Sequence, residues 1–327
     1  GFKDIIPLVA LYRPGPLGSG MVADFVDRRH GKKQSTYLHP ILEPILKDTF
    51  GVVLYQEQVM QIASTMGGFT LGEADLLRRA MGKKKHDVLV GQRERFVKGA
   101  LERDIDEKIA SEIFDLLVHF ADYGFNKSHS AAYAMVAYQT AWLKANYREE
   151  FFAAILTNNM KVSEKISFYI EECRRIGIKV LPPDVNVSGA NFSAENNSIR
   201  FGLSGIRTAG ENSINNIIEA RAKGGKFTSL TDFCQRVDMK AVNRRLIENM
   251  IKCGAFDSFG KKRSQLLAVV ETAMSIAGNE QKAQAHGLIS LFGEETLQSM
   301  DVEYPQINEL AQEEILSMEK EIIGFYV

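Results

Sequence analysis

Two adjacent prolines, Pro182-Pro183, break a chain whose apolar residues otherwise recur mostly at helical spacing. Neither can donate a backbone hydrogen bond, and each drives the residue before it towards extended geometry, so no helix runs through this step. With 327 residues, enough for two or three domains, the step is the expected boundary between the first two. Ahead of it, apolar periodicity predicts helices near 18–30, 38–48, 55–66, 87–102, 106–122 and 131–146, with a strand-like run at 51–54. A further helix begins at Thr70, which stands three places ahead of Glu73 in the capping-box pattern, and Gly82 can end it. Beyond the step, Asn196-Asn197 between the runs 191–193 and 199–203 predicts a β-hairpin. Helices are then expected near 211–222, 229–237, 241–252 and 261–276, followed by a polar, Gln/Glu-rich linker over 278–300. The expected class is mainly α: a multi-helix first domain, then a smaller, mostly helical domain with a β-hairpin.

Composition excludes several alternatives. At 45% hydrophobic and 25% charged the chain is neither disordered nor fibrous. No window reaches the roughly 18 uninterrupted apolar residues of a membrane span, and no signal peptide opens the sequence. Cys173, Cys234 and Cys253 are widely spaced with no CxxC pair, which argues against a disulfide framework or zinc site and fits a reducing, cytoplasmic setting. The chain has no initiating Met and stops inside the apolar run 322–327, as expected of a piece of a longer protein. Net charge is −1, but its distribution is uneven. Residues 161–263 hold 18 Lys/Arg against 11 Asp/Glu, whereas residues 264–327 hold 2 against 11. A basic middle and an acidic end are expected where one segment meets polyanions.

Three constellations carry chemistry. In the run 76–85, the cations Arg78, Arg79, Lys83, Lys84 and Lys85 cluster at and beyond a helix end. Cations there offset the helix macrodipole, but five exceed what the dipole requires and suit a polyphosphate, with guanidinium forks and ammonium point charges. The loop 123–130 places Tyr123, Phe125, Asn126, Lys127, Ser128, His129 and Ser130 before an apolar helix bearing Tyr133. Helix amides with Ser128 and Ser130 are expected to offer an anion site, Lys127 and His129 supply charge, and the aromatics suit stacking on a base. The run 202–210, containing Gly205, Arg207 and Gly210, resembles the hairpin of a helix–hairpin–helix module that grips a DNA backbone, with Arg244-Arg245 and Lys261-Lys262-Arg263 as its electrostatic footprint. No strand-borne Asp-x-Asp, P-loop or other reaction-centre signature is present, so neither catalytic nor metal-ligating residues are assigned to this chain.

Leu11-Tyr12-Arg13-Pro14-Gly15-Pro16, the run 53–60, the run 76–85 and the run 123–133 together resemble the α subunits of bacterial DNA polymerase III, the C-family replicative polymerases. The resemblance implies a fingers domain over 1–183, a duplex-binding region with tandem helix–hairpin–helix elements over 184–276, a linker with a clamp-binding peptide over 277–300, and the start of a C-terminal region over 301–327. It implies nucleotide contacts from Arg78, Arg79, Lys83, Phe125, Asn126, Lys127, His129 and Tyr133, and DNA contacts from Gly205, Arg207, Gly210, Arg244 and Arg245. Arg13 and the run 55–58 would lie near primer-template and nucleotide without a fixed role. The clamp peptide would be Leu288-Ile289-Ser290-Leu291-Phe292, in which Leu288 replaces the family's usual Gln and removes a hydrogen-bonding side chain. Implied partners are primer-template DNA, a deoxynucleoside triphosphate, the sliding clamp and other replisome subunits. Mg²⁺ would be held by palm residues outside this chain, so the isolated chain is expected to be inactive. The competing expectation is a non-catalytic module that binds DNA backbone and tethers the clamp; a bland scaffold with decorative surface charge is the third.

Overall fold

The computed structural model describes residues 1–82, 86–121, 124–285 and 301–326. Its chain divides into two compact units, 1–142 and 143–327. The described helices of the first are α1 (Phe2–Leu11), α2 (Pro14–Gly18), α3 (Met21–Arg29), α4 (Glu43–Leu46), α5 (Gln56–Gly67), α6 (Leu71–Gly82), α7 (His86–Leu101), α8 (Glu107–Ala121) and α9 (Lys127–Asn146), within which the division falls. In the second lie α10 (Arg148–Asn158), α11 (Ser163–Arg175), the strands β1 (Lys179–Leu181), β2 (Ser193–Glu195) and β3 (Ser198–Arg200), then α12 (Glu211–Gly224), α13 (Leu230–Arg236), α14 (Arg244–Lys252), α15 (Arg263–Ala285) and α16 (Gln312–Ile323). The fold is mainly α with a small sheet. Among the described residues no helix is long and apolar enough to cross a membrane.

In the first unit, α5–α8 bury Val59, Ile62, Met66, Leu77, Met81, Phe96, Ile113 and Leu117 in one core. A smaller core joins Ala10, Leu11, Met21 and Phe25 to Val52, Leu54 and Tyr55. The capping box at α6 forms as its spacing predicts: the Glu73 carboxylate accepts from the Thr70 N–H at 2.9 Å and from its hydroxyl at 2.9 Å. Helices α5 and α7 approach closely enough that a Cβ added to Gly99 would sit 2.1 Å from the Gly67 carbonyl oxygen.

The structure departs from the sequence reading in several places. Helix α1 is present although Pro7 lies inside it, with Pro7, Ala10 and Leu11 buried on its inner side. The run 51–54 forms no strand; a single parallel bridge joins Tyr55 to Phe125. Helix α9 begins at Lys127 rather than near 131. Helices α10 and α11 contribute Phe152, Leu156, Ile166 and Ile170 to the core of the second unit.

The hairpin forms at Asn196-Asn197, whose φ angles of 47° and 58° suit a tight two-residue turn. It gains a third strand, giving the order β1-β3-β2, with β1 parallel to β3. The Pro182-Pro183 step does not divide the compact units. Arg200 donates to the Pro182 carbonyl at 3.0 Å, and the Val185 N–H donates to Ala255 at 2.8 Å, so the step is stitched into the second core. Helix α15 runs into the expected linker because Leu266, Val270, Ala273 and Ala277 continue one buried face. Val302, Ile322, Ile323 and Phe325 join the same core, so residues 301–326 belong to the second unit. The three cysteines are buried, and desolvation pushes each thiol up to about 12, leaving them as inert core residues.

The Gly67–Gly99 approach leaves no room for a methyl group. Gly99→Ala is expected to cost about 1–3 kcal/mol through forced helix separation. A lowered unfolding midpoint in thermal or urea denaturation checks this.

Candidate functional site

Arg78 and Arg79 stand near the C-terminal end of α6, Arg79 in its last turn, and both bind Asp75 of the same helix. Arg78 donates to Asp75 Oδ1 from Nη2 at 2.7 Å and from Nε at 3.0 Å, while Arg79 Nε reaches Oδ2 at 2.9 Å. Spacings of three and four residues put these side chains on one helix face. The two guanidinium groups hold the Asp75 carboxyl below its ordinary range, Arg78 most strongly. One carboxylate shared by two arginines leaves a net positive charge at this helix end. The arginines differ in exposure: the Arg78 side chain is 24% exposed and that of Arg79 63%.

Arg78 is further held by α5, where Gln56 Oε1 accepts from Nη1 at 3.2 Å. The Nε2 of the same glutamine donates to the Gly124 carbonyl at 3.1 Å, and its backbone N–H donates to the Phe125 carbonyl at 3.0 Å. Phe125 in turn donates its N–H to Leu54 at 3.1 Å. Arg78 and the 124–126 segment, which begins 46 residues further along the sequence, therefore belong to one hydrogen-bonded assembly.

Asn126 is the start signal for α9: its Oδ1 accepts the His129 N–H at 2.8 Å. Both carboxylate oxygens of Glu57 accept the Lys127 N–H at 3.0 Å. The anion position expected at this helix start is thus filled by the protein's own carboxylate, whose charge suits the positive end of α9. Ser130 is buried and donates its hydroxyl to the Ile6 carbonyl, anchoring α9 to α1 rather than facing an anion. Sequence reasoning gave Glu57, Asp75 and Gln56 no role, because their partners become visible only when distant elements meet.

Aromatic rings line the same assembly. The Phe125 and His129 centroids are 5.5 Å apart and those of His129 and Tyr133 4.3 Å apart, with Tyr133 exposed. The Arg13 guanidinium lies 4.4 Å over Phe125, and Lys127 Nζ lies 5.5 Å from the Tyr55 ring centroid. Burial, followed by the Asp48 and Glu57 charges, pushes Tyr55 up to about 12, so its phenol stays neutral at physiological pH. Of the expected nucleotide-contacting residues, Arg78, Arg79, Phe125, Asn126, Lys127, His129 and Tyr133 belong to the two linked segments; Lys83 lies outside the described residues, as do Lys84, Lys85 and Tyr123.

In the second unit, Gly205 ends a 3-10 turn, and a Cβ there would fall 2.6 Å from the Phe201 ring, so close packing demands the glycine. The Arg207 N–H donates to the Ile322 carbonyl at 3.2 Å and its guanidinium meets Glu321 at 3.3 Å. Gly210 is the N-cap of α12. Asn249 of α14 ties in this turn by donating to the Arg207 carbonyl and Thr208 Oγ1, each at 3.0 Å. Arg244 and Arg245 open α14, both exposed; Arg244 binds Glu248 at 2.7 Å and Glu271 at 3.2 Å.

The expected footprint Lys261-Lys262-Arg263 needs correction at Arg263, which is buried between Asp257 and Glu319, each at 2.8 Å. Glu309 accepts the backbone N–H groups of Arg263 and Ser264 at 2.8 and 3.0 Å, capping α15. Lys262 Nζ donates to the Ile307 carbonyl, and Lys261 lies 4.9 Å over the Tyr304 ring. Arg207, Arg244 and Arg263 of the basic middle therefore meet carboxylates of the acidic end, Glu321, Glu271 and Glu319, within one unit. The clamp-peptide candidates Leu288, Ser290, Leu291 and Phe292 lie outside the described residues. Among the described residues no three His, Cys, Asp or Glu side chains converge as a metal centre requires.

A family model for the bacterial DNA polymerase III alpha subunit finger domain matches residues 1–104, and one for a helix-hairpin-helix motif matches residues 177–266. The DNA polymerase III subunit alpha of Vibrio cholerae is 47% identical over 334 residues, covering 100% of this chain and 29% of that protein. Those of Pasteurella multocida and Escherichia coli K12 are 48% and 46% identical with the same coverage. The chain therefore spans under a third of the length of the relatives it matches.

The Glu57 cap generates a local prediction. Glu57→Ala removes the acceptor for the Lys127 N–H and is expected to cost the start of α9 about 1 kcal/mol, or roughly fivefold faster amide exchange at residues 127–129. Hydrogen exchange followed by mass spectrometry checks it.

Proposed function

The chain belongs to the bacterial DNA polymerase III α-subunit family, and from that premise we propose that its first unit grips the triphosphate of the incoming deoxynucleotide while its second unit meets the primer–template duplex. The whole polymerase would join a primer 3′-hydroxyl to the α-phosphorus of the nucleotide and release pyrophosphate. This chain would contribute charge neutralisation and orientation rather than acid–base chemistry. The observation that carries the reading is the Arg78–Gln56–Gly124 hydrogen-bonded link, which joins phosphate-binding cations to an aromatic-lined turn suited to a base.

Each side chain then has a task. Arg78 presents a guanidinium already oriented by Asp75. The more exposed Arg79 can exchange its Asp75 contact for a phosphate oxygen. Phe125, His129 and Tyr133 supply stacking faces, Lys127 adds charge, and Asn126 fixes the helix start that carries them.

For the second unit, the helix-hairpin-helix match over 177–266 supports contact with duplex backbone, with Arg244 and Arg245 exposed at the start of α14. The 288–292 peptide would offer Leu291 and Phe292 to an apolar pocket on a sliding clamp. Other replisome subunits and a cytoplasmic setting complete the reading.

Arg78→Ala with Arg79→Ala in the full-length polymerase is expected to raise the KM for deoxynucleotide roughly 10- to 100-fold, the loss of charge-assisted hydrogen bonds, with little change in primer–template affinity. Steady-state single-nucleotide insertion and DNA titration separate the two quantities. Weakened, less salt-dependent DNA binding at unchanged KM would instead support a backbone-binding and clamp-tethering module.

A further inference from the structure

Gln56 makes three described polar connections, and they lead to both segments of the candidate site. Its backbone N–H donates to the Phe125 carbonyl, its side-chain amide donates to the Gly124 carbonyl at 3.1 Å, and its side-chain oxygen accepts from Arg78 at 3.2 Å. As the first residue of α5, Gln56 has a backbone N–H that no intrahelical carbonyl can accept from, so bonding to the 124–125 segment leaves its helix intact. Gln58 holds the segment leading into it, its Oε1 accepting the Leu54 and Tyr55 N–H groups at 2.8 and 2.9 Å.

The orientation of Arg78 has two described determinants. Asp75 fixes the guanidinium relative to its own helix, three residues away, and so carries no information from elsewhere. Gln56 fixes it relative to the turn that bears Phe125 and opens α9, where His129 and Tyr133 follow.

Resting on the nucleotide-binding reading above, we propose that Gln56 is a positioning residue that couples the base-facing turn to the triphosphate-gripping arginine. A base that seats badly displaces the 124–125 backbone. That displacement pulls the Gln56 amide and turns the Arg78 fork away from the phosphate oxygens. Bidentate guanidinium contacts are directional, so a small misorientation weakens the grip at the moment when discrimination matters. Gln56 thereby contributes to nucleotide selection without touching the nucleotide.

A double-mutant cycle in the full-length polymerase tests this, with Gln56→Ala, Arg78→Ala and the pair, read as single-nucleotide insertion of matched and mismatched deoxynucleotides. Gln56→Ala is expected to raise the KM for the matched nucleotide about five- to tenfold and to narrow the matched-to-mismatched ratio of kcat/KM. In the Arg78→Ala background it is expected to add nothing to either, because its effect passes through that arginine. Gln56→Met, similar in size but without the amide, is expected to behave like the alanine and guards against a simple cavity effect. Effects of Gln56→Ala that multiply those of Arg78→Ala would overturn the coupling. So would a lower kcat at unchanged KM and unchanged discrimination, the mark of a smaller folded fraction. If Arg78→Ala itself leaves KM unchanged, the nucleotide-binding reading fails first, and the Gln56 proposal falls with it.

Discussion

Charge compensation within each unit governs how the cationic features of this chain operate. Arg78 and Arg79 share Asp75, Arg207 meets Glu321, Arg244 meets Glu248 and Glu271, and Arg263 is closed in by Asp257 and Glu319. Desolvating an unpaired guanidinium is costly, so a fold that brings arginines onto packed helices must also bring carboxylates to them. The carboxylates do more than neutralise. They fix direction, and a fixed guanidinium fork loses less entropy when it meets a phosphate.

The same logic applies to backbone donors. Two helix starts suited to an anion, those of α9 and α15, are capped by Glu57 and Glu309. Each carboxylate satisfies N–H groups that would otherwise remain open and faces the positive end of the helix dipole. An external phosphate at either position would have to displace a tethered carboxylate. Under the proposed nucleotide-binding function, the phosphate contacts of the first unit would therefore fall to side chains, with Arg78 and Arg79 foremost.

What was legible in the sequence was what is local. Thr70 and Glu73 lie three residues apart, so their capping box can be read directly. Asn196-Asn197 announces its turn because few residues accept positive φ twice in succession. The cations 78–79 and the aromatics of 125–133 are residue types whose chemistry does not depend on where the chain goes next. The contacts that assemble them are not local: Glu57 reaches Lys127, Gln56 reaches Gly124, and Glu309 reaches Arg263. Charge patterning misled at Arg263, which it counted as available to a partner, because the side chain is buried between Asp257 and Glu319. The Pro182-Pro183 step misled because a break in helix is not a break in packing, and Arg200 bridges it.

Exposure then ranks which cations can change partners. Arg263 is 10% exposed and its partner Glu319 4%, so separating them would strand a buried charge, a loss of about 3–5 kcal/mol. That pair is architecture. Arg79, 63% exposed and tied by one contact to a carboxylate it shares, faces water that can solvate Asp75 when the guanidinium turns away. Arg78 stands between these extremes at 24%, with Asp75 on one side and Gln56 on the other. Asp75 is held below its ordinary pKa by these same arginines, so it remains an anion across the physiological range and the tether does not loosen with pH. A triphosphate approaching this helix end would therefore meet one arginine free to swing and one already aimed. The aimed arginine is the better reporter of geometry, because its orientation depends on the Gly124–Phe125 backbone through Gln56, whereas Arg79 has no described contact with that turn.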